Sequence, residues 1–205
     1  MTEIIFIRHA QAEGNAARVM HGYYNSRLTL LGHRQADATG KFLAETPINI
    51  IYSSDLTRTY MTALHVAAYQ GCDVIKDAGL RENFAGDWEN KSFAELESKF
   101  HDEYYSWRRD TGNFIFPNGE SVREMTERVG SAVKKIAEAN DGRRIAVVSH
   151  ATPIRSLRCY FERLPMSEMK NHEWPTNASV SFGIYENGKL TFSSYSEDYF
   201  LSDIV

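Results

Sequence analysis

Short continuous apolar runs alternate here with segments of helical periodicity, a pattern that predicts an α/β fold: a three-layer sandwich with a mostly parallel sheet and helices on both faces. Ile4 to Ile7, Ile48 to Ser53 and Arg144 to Ser149 are nearly unbroken apolar stretches rich in β-branched residues, as strands buried on both sides require. Asn187-Gly188, between two further strand-like segments, predicts an antiparallel C-terminal hairpin. The 205 residues suit a single domain over 1–205, with a lid-like excursion at about 83–119.

The first strand, Ile4 to Ile7, ends at Arg8-His9, and the polar, Gly-containing stretch Gln11 to Arg27 reads as a short helical turn plus loop. Thr29 is placed to cap a helix from about Leu30 to Ala44, with Leu31, Ala38, Phe42 and Leu43 as its apolar side and Thr46-Pro47 as its stop. The second strand, Ile48 to Ser53, runs into Ser54 and Asp55. These open a helix with Arg58 in its first turn and Met61, Leu64, Ala67 and Ala68 at helical spacing. Cys72 to Ile75 reads as a third strand.

From Leu80 to Gly119 the periodicity breaks, and only Phe93 to Phe100 reads as helical. Trp88, Trp107, Phe114 and Phe116 are interspersed with charges there and suit either a core or the mouth of a site. Val122, Met125, Val129, Val133 and Ile136 then mark one face of a helix, ended by Asn140-Asp141-Gly142. After the strand Arg144 to Ser149 and His150, Thr152 and Pro153 read as the cap and first-turn proline of a last helix. Ser179 to Glu186 and Lys189 to Tyr195 are the arms of the hairpin.

A net charge of −4 offers no general attraction to nucleic acid or to a membrane surface. The two cysteines, Cys72 and Cys159, have neither metal-type spacing nor a disulfide framework, which fits a reducing, cytoplasmic setting. The apolar run before Arg8 is too short for a signal peptide, and no stretch has transmembrane length. No sequence feature fixes an oligomeric state.

In parallel sheets of this kind ligands sit at the carboxyl ends of the strands. Three strands end in Arg8-His9, in Ser53-Ser54-Asp55 leading to Arg58, and in Ser149-His150. Two arginines, two histidines and a helix start at one sheet edge describe a pocket for a doubly charged anion such as a phosphoryl group, because guanidinium forks and free helix-start amides match its oxygens. No Gly-rich nucleotide cradle and no metal-binding motif occurs, so neither cofactor nor metal is called for.

At these residues the chain resembles the histidine phosphatase superfamily, the phosphoglycerate-mutase-like proteins, over nearly its whole length. The resemblance rests on Arg8-His9-Ala10 followed by Asn15, on His21-Gly22, on Leu28 to Ala36 and on Ser53 to Ala63. Leu80-Arg81-Glu82, Gly86 to Glu89, Pro117 to Ser121 and Val148 to Ala151 follow in the family's order. It implies that His9 is a nucleophile that becomes phosphohistidine and that Arg8, Arg58 and His150 hold the phosphoryl oxygens. It implies too that Asn15 and the amide of Ala151 assist, that His21 and Gly22 contact substrate, and that Glu82 protonates the leaving alkoxide and then activates water. Outside the resemblance, Glu82 could simply pair with Arg81. Ala10 stands where the family usually has Gly, which restricts the backbone beside the nucleophile.

Such chemistry suits phosphoryl transfer, which needs alignment and charge stabilisation more than elaborate covalent machinery. The expected activity is that of a metal-independent phosphomonoesterase, a histidine acid-type phosphatase, acting on a small phosphorylated metabolite. Two alternatives stand beside it: phosphoglycerate-mutase-type transfer, and a phospho-ligand binding module without turnover. Asn83 after Glu82, where the mutases continue differently, and the shorter chain favour hydrolysis over transfer. Arg108-Arg109 reads as a solvated pair, and His33, His65, His101 and His172 as surface or packed histidines.

Overall fold

The computed structural model describes residues 1–204. Strands β1 (Thr2–Arg8), β2 (Ile50–Ser53), β3 (Val74–Lys76), β4 (Arg144–Ser149), β5 (Val180–Glu186) and β6 (Lys189–Glu197) form one sheet in the order β3-β2-β4-β1-β5-β6. The β3-β2-β4-β1 portion is parallel, and β5 and β6 add antiparallel strands beyond β1. Between the strands run α1 (Glu13–Ala16), α2 (Leu30–Phe42), α3 (Thr57–Gln70), α4 (Phe93–Lys99), α5 (His101–Arg109), α6 (Val122–Ala139) and α7 (Ala151–Phe161).

Alternation along the central strands builds two cores. Ile4 and Phe6 of β1, with Ile145 and Val147 of β4, point to the side covered by α6 and α7. Ile5, Ile7, Ala146 and Val148 point the other way, against Leu43, Ala63 and Val66 from the α2–α3 side. A period of two in strands buried on both faces leaves no polar side, which is why these runs are continuously apolar. The hairpin turn has positive φ at both Asn187 and Gly188 (50° and 79°), as a two-residue turn matched to the strand twist requires.

Several local expectations are corrected. The face of α3 turned inward is Arg58, Thr59, Thr62, Ala63 and Val66, while Leu64 is 38 % exposed. Threonines can face the sheet because their hydroxyls are satisfied locally: Thr62 donates to the Arg58 carbonyl at 2.7 Å and Thr59 to that of Leu56 at 2.7 Å. On α2 the buried positions are Gly32, Ala36, Thr39 and Gly40 rather than Leu31, Ala38 and Phe42, and Leu30 is 83 % exposed. Small residues there let α2 pack closely on α3. The second strand begins at Ile50, not Ile48, and the third is Val74–Lys76 at the sheet edge, not Cys72 to Ile75.

Helix α7 starts earlier than Thr152. His150 is its cap residue, without a capping side-chain bond, Ala151 is its first residue and Pro153 its third. Proline is tolerated there because first-turn amides have no acceptor within the helix.

In the excursion, α5 was not foreseen. Its sequence is mostly charged and buries only Tyr104, so no periodic apolar face announces it. The aromatics of the excursion converge on the fully buried Trp88, with ring centroids 5.1 Å from Phe114 and 5.5 Å from Phe116. This cluster is continuous with the core on the α6–α7 side.

Candidate active site

The strand order places the ends of β2, β4 and β1 side by side. Arg8 pairs in register with Ser149, and the chain continues past each strand end with one more cross-bond: His9 N–H to the Ser149 carbonyl at 3.0 Å and Ser54 N–H to that of Val148 at 3.0 Å. The rings of His9 and His150 therefore meet edge to face at 5.2 Å, and His21 meets His9 at 6.2 Å. Imidazoles 141 positions apart, counting from 9 to 150, thus share one site.

Hydrogen bonds decide which nitrogen of each ring is free. Nδ1 of His9 lies 2.8 Å from the Ala10 carbonyl, an acceptor, so Nδ1 carries the proton and Nε2 of the neutral ring keeps its lone pair. The His9 carbonyl accepts from Asn177 Nδ2 at 3.0 Å and from the Ala178 amide at 3.2 Å, which anchors the backbone at this residue. His150 uses Nε2 toward Ser54 Oγ at 2.9 Å, leaving Nδ1 buried without a partner. Ala10 is buried with its amide donating to Thr62 Oγ1 at 3.1 Å, and its φ is not positive, so nothing at that position demands glycine.

Both arginines have unfinished hydrogen bonding. Arg8 donates through Nη1 to the Pro175 carbonyl at 2.6 Å, and Arg58 through Nη1 and Nη2 to the carbonyls of Tyr24 and Gly22 at 2.9 Å each. The Nε of each is buried without an acceptor. Two buried guanidinium N–H groups and one imidazole nitrogen without partners are costly, about 1–3 kcal/mol apiece.

Burial, followed by the charges of Arg58 and Arg8, pushes the pKa of His9 well below the ordinary imidazole value, with His21 adding a further lowering. His150 is lowered by the same causes and by His9, and His21 is pushed down to about 3. Burial lowers Arg8 and brings Arg58 down to about 10, with the carboxylate of Glu82 opposing the shift in both. A neutral His9 across the neutral range is the form that can attack an electrophile.

These shifts predict acid sensitivity. Between the depressed folded pKa values and about 6.5, the unfolded chain binds protons that the folded chain refuses, so stability is complete above about pH 6.5 and falls as the pH drops below it. Each such histidine contributes a slope of up to about 1.4 kcal/mol per pH unit. Urea midpoints measured at pH 7.5 and 5.5 should differ accordingly, and a His21→Asn variant should show a shallower decline.

A cavity of about 320 Å³ opens over this cluster, with Arg8, Asn15, His21, Gly22, Glu82 and Ala151 on its wall. His9, Arg58 and His150 are not on the wall but are buried at 3 %, 0 % and 0 % exposure behind it. Asn15 spends its Oδ1 on the Ala12 amide at 2.9 Å within the first turn of α1, so its NH2 is the group free to donate. Ala151 and Thr152 present the first amides of α7, where the helix dipole favours an anion. His21 is held by Ser26 Oγ at 2.9 Å and lies against Gly14, where a Cβ would fall 2.2 Å from the ring nitrogen. Gly22 has φ of +52° and a carbonyl already taken by Arg58, so it shapes the wall through its backbone.

Glu82 reaches the cavity with Oε1 accepting from the Asn83 amide at 3.0 Å. Its neighbour Arg81 pairs instead with Asp55, Nε to Oδ1 at 2.6 Å, so the simple ion pair between the two does not form. The strip carrying Glu82 is held by Arg128, a residue the sequence reading missed. All its guanidinium donors are used: on the carbonyls of Gly79, Arg81 and Glu82 at 3.0–3.1 Å, and on both carboxylate oxygens of Glu120 at 2.9 and 2.7 Å. Ser54 and Asn177 were likewise not singled out as partners of the two histidines. Only the position of Ser54 at a strand end could have flagged it. Arg108 touches Tyr104 Oη at 3.3 Å and Arg109 is exposed, and neither reaches this cavity, while His33 and His65 hydrogen-bond to each other at 3.0 Å.

Arg8, a helix start and a carboxyl group on the cavity wall, with His9 and Arg58 buried behind it, make a set that can hold, attack and protonate a phosphoryl ester. No group of three His, Cys, Asp or Glu side chains among the described residues is placed to hold a metal ion. The family model of the histidine phosphatase superfamily (branch 1) matches residues 4–198, and the chain belongs to that family. It is 30 % identical over 159 residues to Phosphoserine phosphatase 1 of Hydrogenobacter thermophilus, covering 78 % of this chain and 75 % of that one. It is 32 % identical over 199 residues to Phosphoglycerate mutase-like protein 4 of Arabidopsis thaliana, covering 95 % and 85 %. Among solved structures, Bacillus stearothermophilus YhfR superposes with a TM-score of 0.93 at 23 % identity, over 98 % of this chain and 100 % of that one, which establishes the shared fold. No helix among the described residues is long and apolar enough to cross a membrane.

Proposed function

We propose that the protein is a metal-independent phosphomonoesterase that hydrolyses a small phosphorylated metabolite through a phosphohistidine on His9. The observation that carries this reading is the meeting of the His9 and His150 rings at 5.2 Å, with the charges of Arg58 and Arg8 acting on both. The relatives named for phosphoserine phosphatase and phosphoglycerate mutase support a small phosphorylated substrate.

In the first step the Nε2 lone pair of His9 attacks phosphorus while the bond to the ester oxygen breaks, and the Glu82 carboxyl gives its proton to the departing alkoxide. Arg8, Arg58, Nδ1 of His150, the Asn15 amide and the Ala151 N–H hold the non-bridging oxygens, whose charge spreads as the bond loosens. In the second step Glu82, now a carboxylate, takes a proton from water as its oxygen attacks phosphorus. The N–P bond breaks, its electrons return to Nε2, and orthophosphate leaves. We also place the protein in the cytoplasm, a reading supported by the two free thiols, Cys72 and Cys159.

Hydrolysis and mutase-type transfer separate in one assay. With 3-phosphoglycerate and a generic aryl phosphate in the presence of chelator, orthophosphate should accumulate from the aryl ester with no interconversion of phosphoglycerates. Interconversion without phosphate release would replace this reading by the mutase one.

A further inference from the structure

Part of the cavity wall has a different chemistry. Beyond Arg8, His21 and Glu82 the wall is built of Val19, Met20, Phe93, Trp107, Phe116 and Trp174. Its polar exceptions are few. Beside Asn15 and Thr152, Arg18 adds an exposed charge, and Asn83 spends its Nδ2 on the Glu120 carbonyl, leaving one unpaired buried oxygen. Glu82 is the only acidic residue on the wall, and the proposed mechanism already employs it.

The aromatic side chains of this part of the wall are held in place before any ligand arrives. Trp174 is 45 % exposed, an unusual condition for so large a side chain, yet its indole is stacked by the Arg155 guanidinium at 4.1 Å. Arg155 is itself tied to the His172 carbonyl at 2.7 Å. Trp107 lies nearly parallel to Phe93, with 13° between planes and centroids 6.2 Å apart, and stands edge-on to the buried Trp88 at 6.0 Å. A wall ordered in advance loses little side-chain entropy on binding, so most of the apolar burial is available to affinity.

We infer that this apolar part of the wall receives a ring-sized group, and that the preferred substrates are phosphate monoesters of alcohols bearing an aromatic or other hydrophobic body. The inference rests on the phosphomonoesterase reading and names its substrate class. Leaving groups such as an amino acid or a polyol would bring ammonium or hydroxyl groups against Val19, Met20, Phe93 and Trp107, where those groups lose water without gaining partners. A ring in the same place meets flat carbon surfaces on several sides.

The test compares esters of similar primary alcohols, so that leaving-group chemistry is held nearly constant: 2-phenylethyl phosphate against glycerol 3-phosphate and phosphoserine. The aromatic ester should have a kcat/KM higher by about tenfold or more, the scale that pocket burial of a few carbons supplies. Trp174→Ala should reduce this ratio severalfold, chiefly through KM, and Trp174→Phe should restore most of it. If glycerol 3-phosphate or phosphoserine equals the aromatic ester, or if the ratio is untouched by Trp174→Ala, the substrate class is wrong while hydrolysis stands. If none of the three releases phosphate, the phosphomonoesterase reading falls with it.

Discussion

Replacing His9 by alanine is expected to lower phosphate release by about four orders of magnitude or more, the scale at which loss of a covalent nucleophile is felt. His150 is the nearest imidazole, but its Nε2 is engaged with Ser54 Oγ at 2.9 Å, and its remaining nitrogen belongs to a ring centred 5.2 Å from that of His9. The anion site itself should survive, because Arg8, Arg58 and the start of α7 are supplied by other residues. His9→Ala should therefore still bind orthophosphate by calorimetry while forming no phosphoenzyme. In the parent protein a quenched reaction should contain phosphate attached to His9, labile to acid and stable to alkali. Near-parental turnover in the alanine variant would remove His9 from the mechanism.

The second large effect concerns Glu82→Gln. An amide cannot deliver a proton to an alkoxide, so kcat/KM for an alkyl phosphate should fall by about 10²- to 10⁴-fold, the usual range for a lost general acid. For 4-nitrophenyl phosphate, whose phenolate leaves without protonation, kcat/KM should fall by less than about tenfold. Since kcat/KM reports the first irreversible step and kcat also includes breakdown of the phosphoenzyme, kcat for the aryl ester should drop further than its kcat/KM. The carboxylate also faces Arg8 and Arg58, whose pKa values it supports, so the glutamine variant tests proton delivery together with a modest electrostatic change. Equal losses on both esters would mean that Glu82 serves the site by charge alone and is not the acid.

What could be read in the chain follows from what each residue must satisfy. Ile4 to Ile7 and Arg144 to Ser149 are buried on both faces, so their hydrophobicity is continuous and their ends are marked by the polar residues that follow. The faces of α2 and α3 were misread for the opposite reason. Periodicity counts Thr59, Thr62 and Arg58 as outward, yet hydroxyl bonds to nearby carbonyls, and for Arg58 the carbonyls of Tyr24 and Gly22, let them turn inward. Arg58 belonged to the predicted site, but its burial and its grip on the 22–24 loop left no trace in the pattern. Helix α5 escaped because it buries a single residue.

By itself the sequence determined the layered α/β class, the three strand ends at which charged and imidazole groups accumulate, and through its motifs the family to which the chain belongs. Those are properties of local hydrophobicity and of short spacings. Only the tertiary structure decided that β4 lies between β1 and β2, which brings His9 to His150 and leaves buried nitrogens of Arg8, Arg58 and His150 without partners. It also decided the proton position on His9, the hold of Arg128 on the Glu82 strip and the aromatic wall over the cavity. Each depends on partners distant in the chain, and a hydrogen bond or a stacked ring is a relation between two positions that neither position's identity can specify alone.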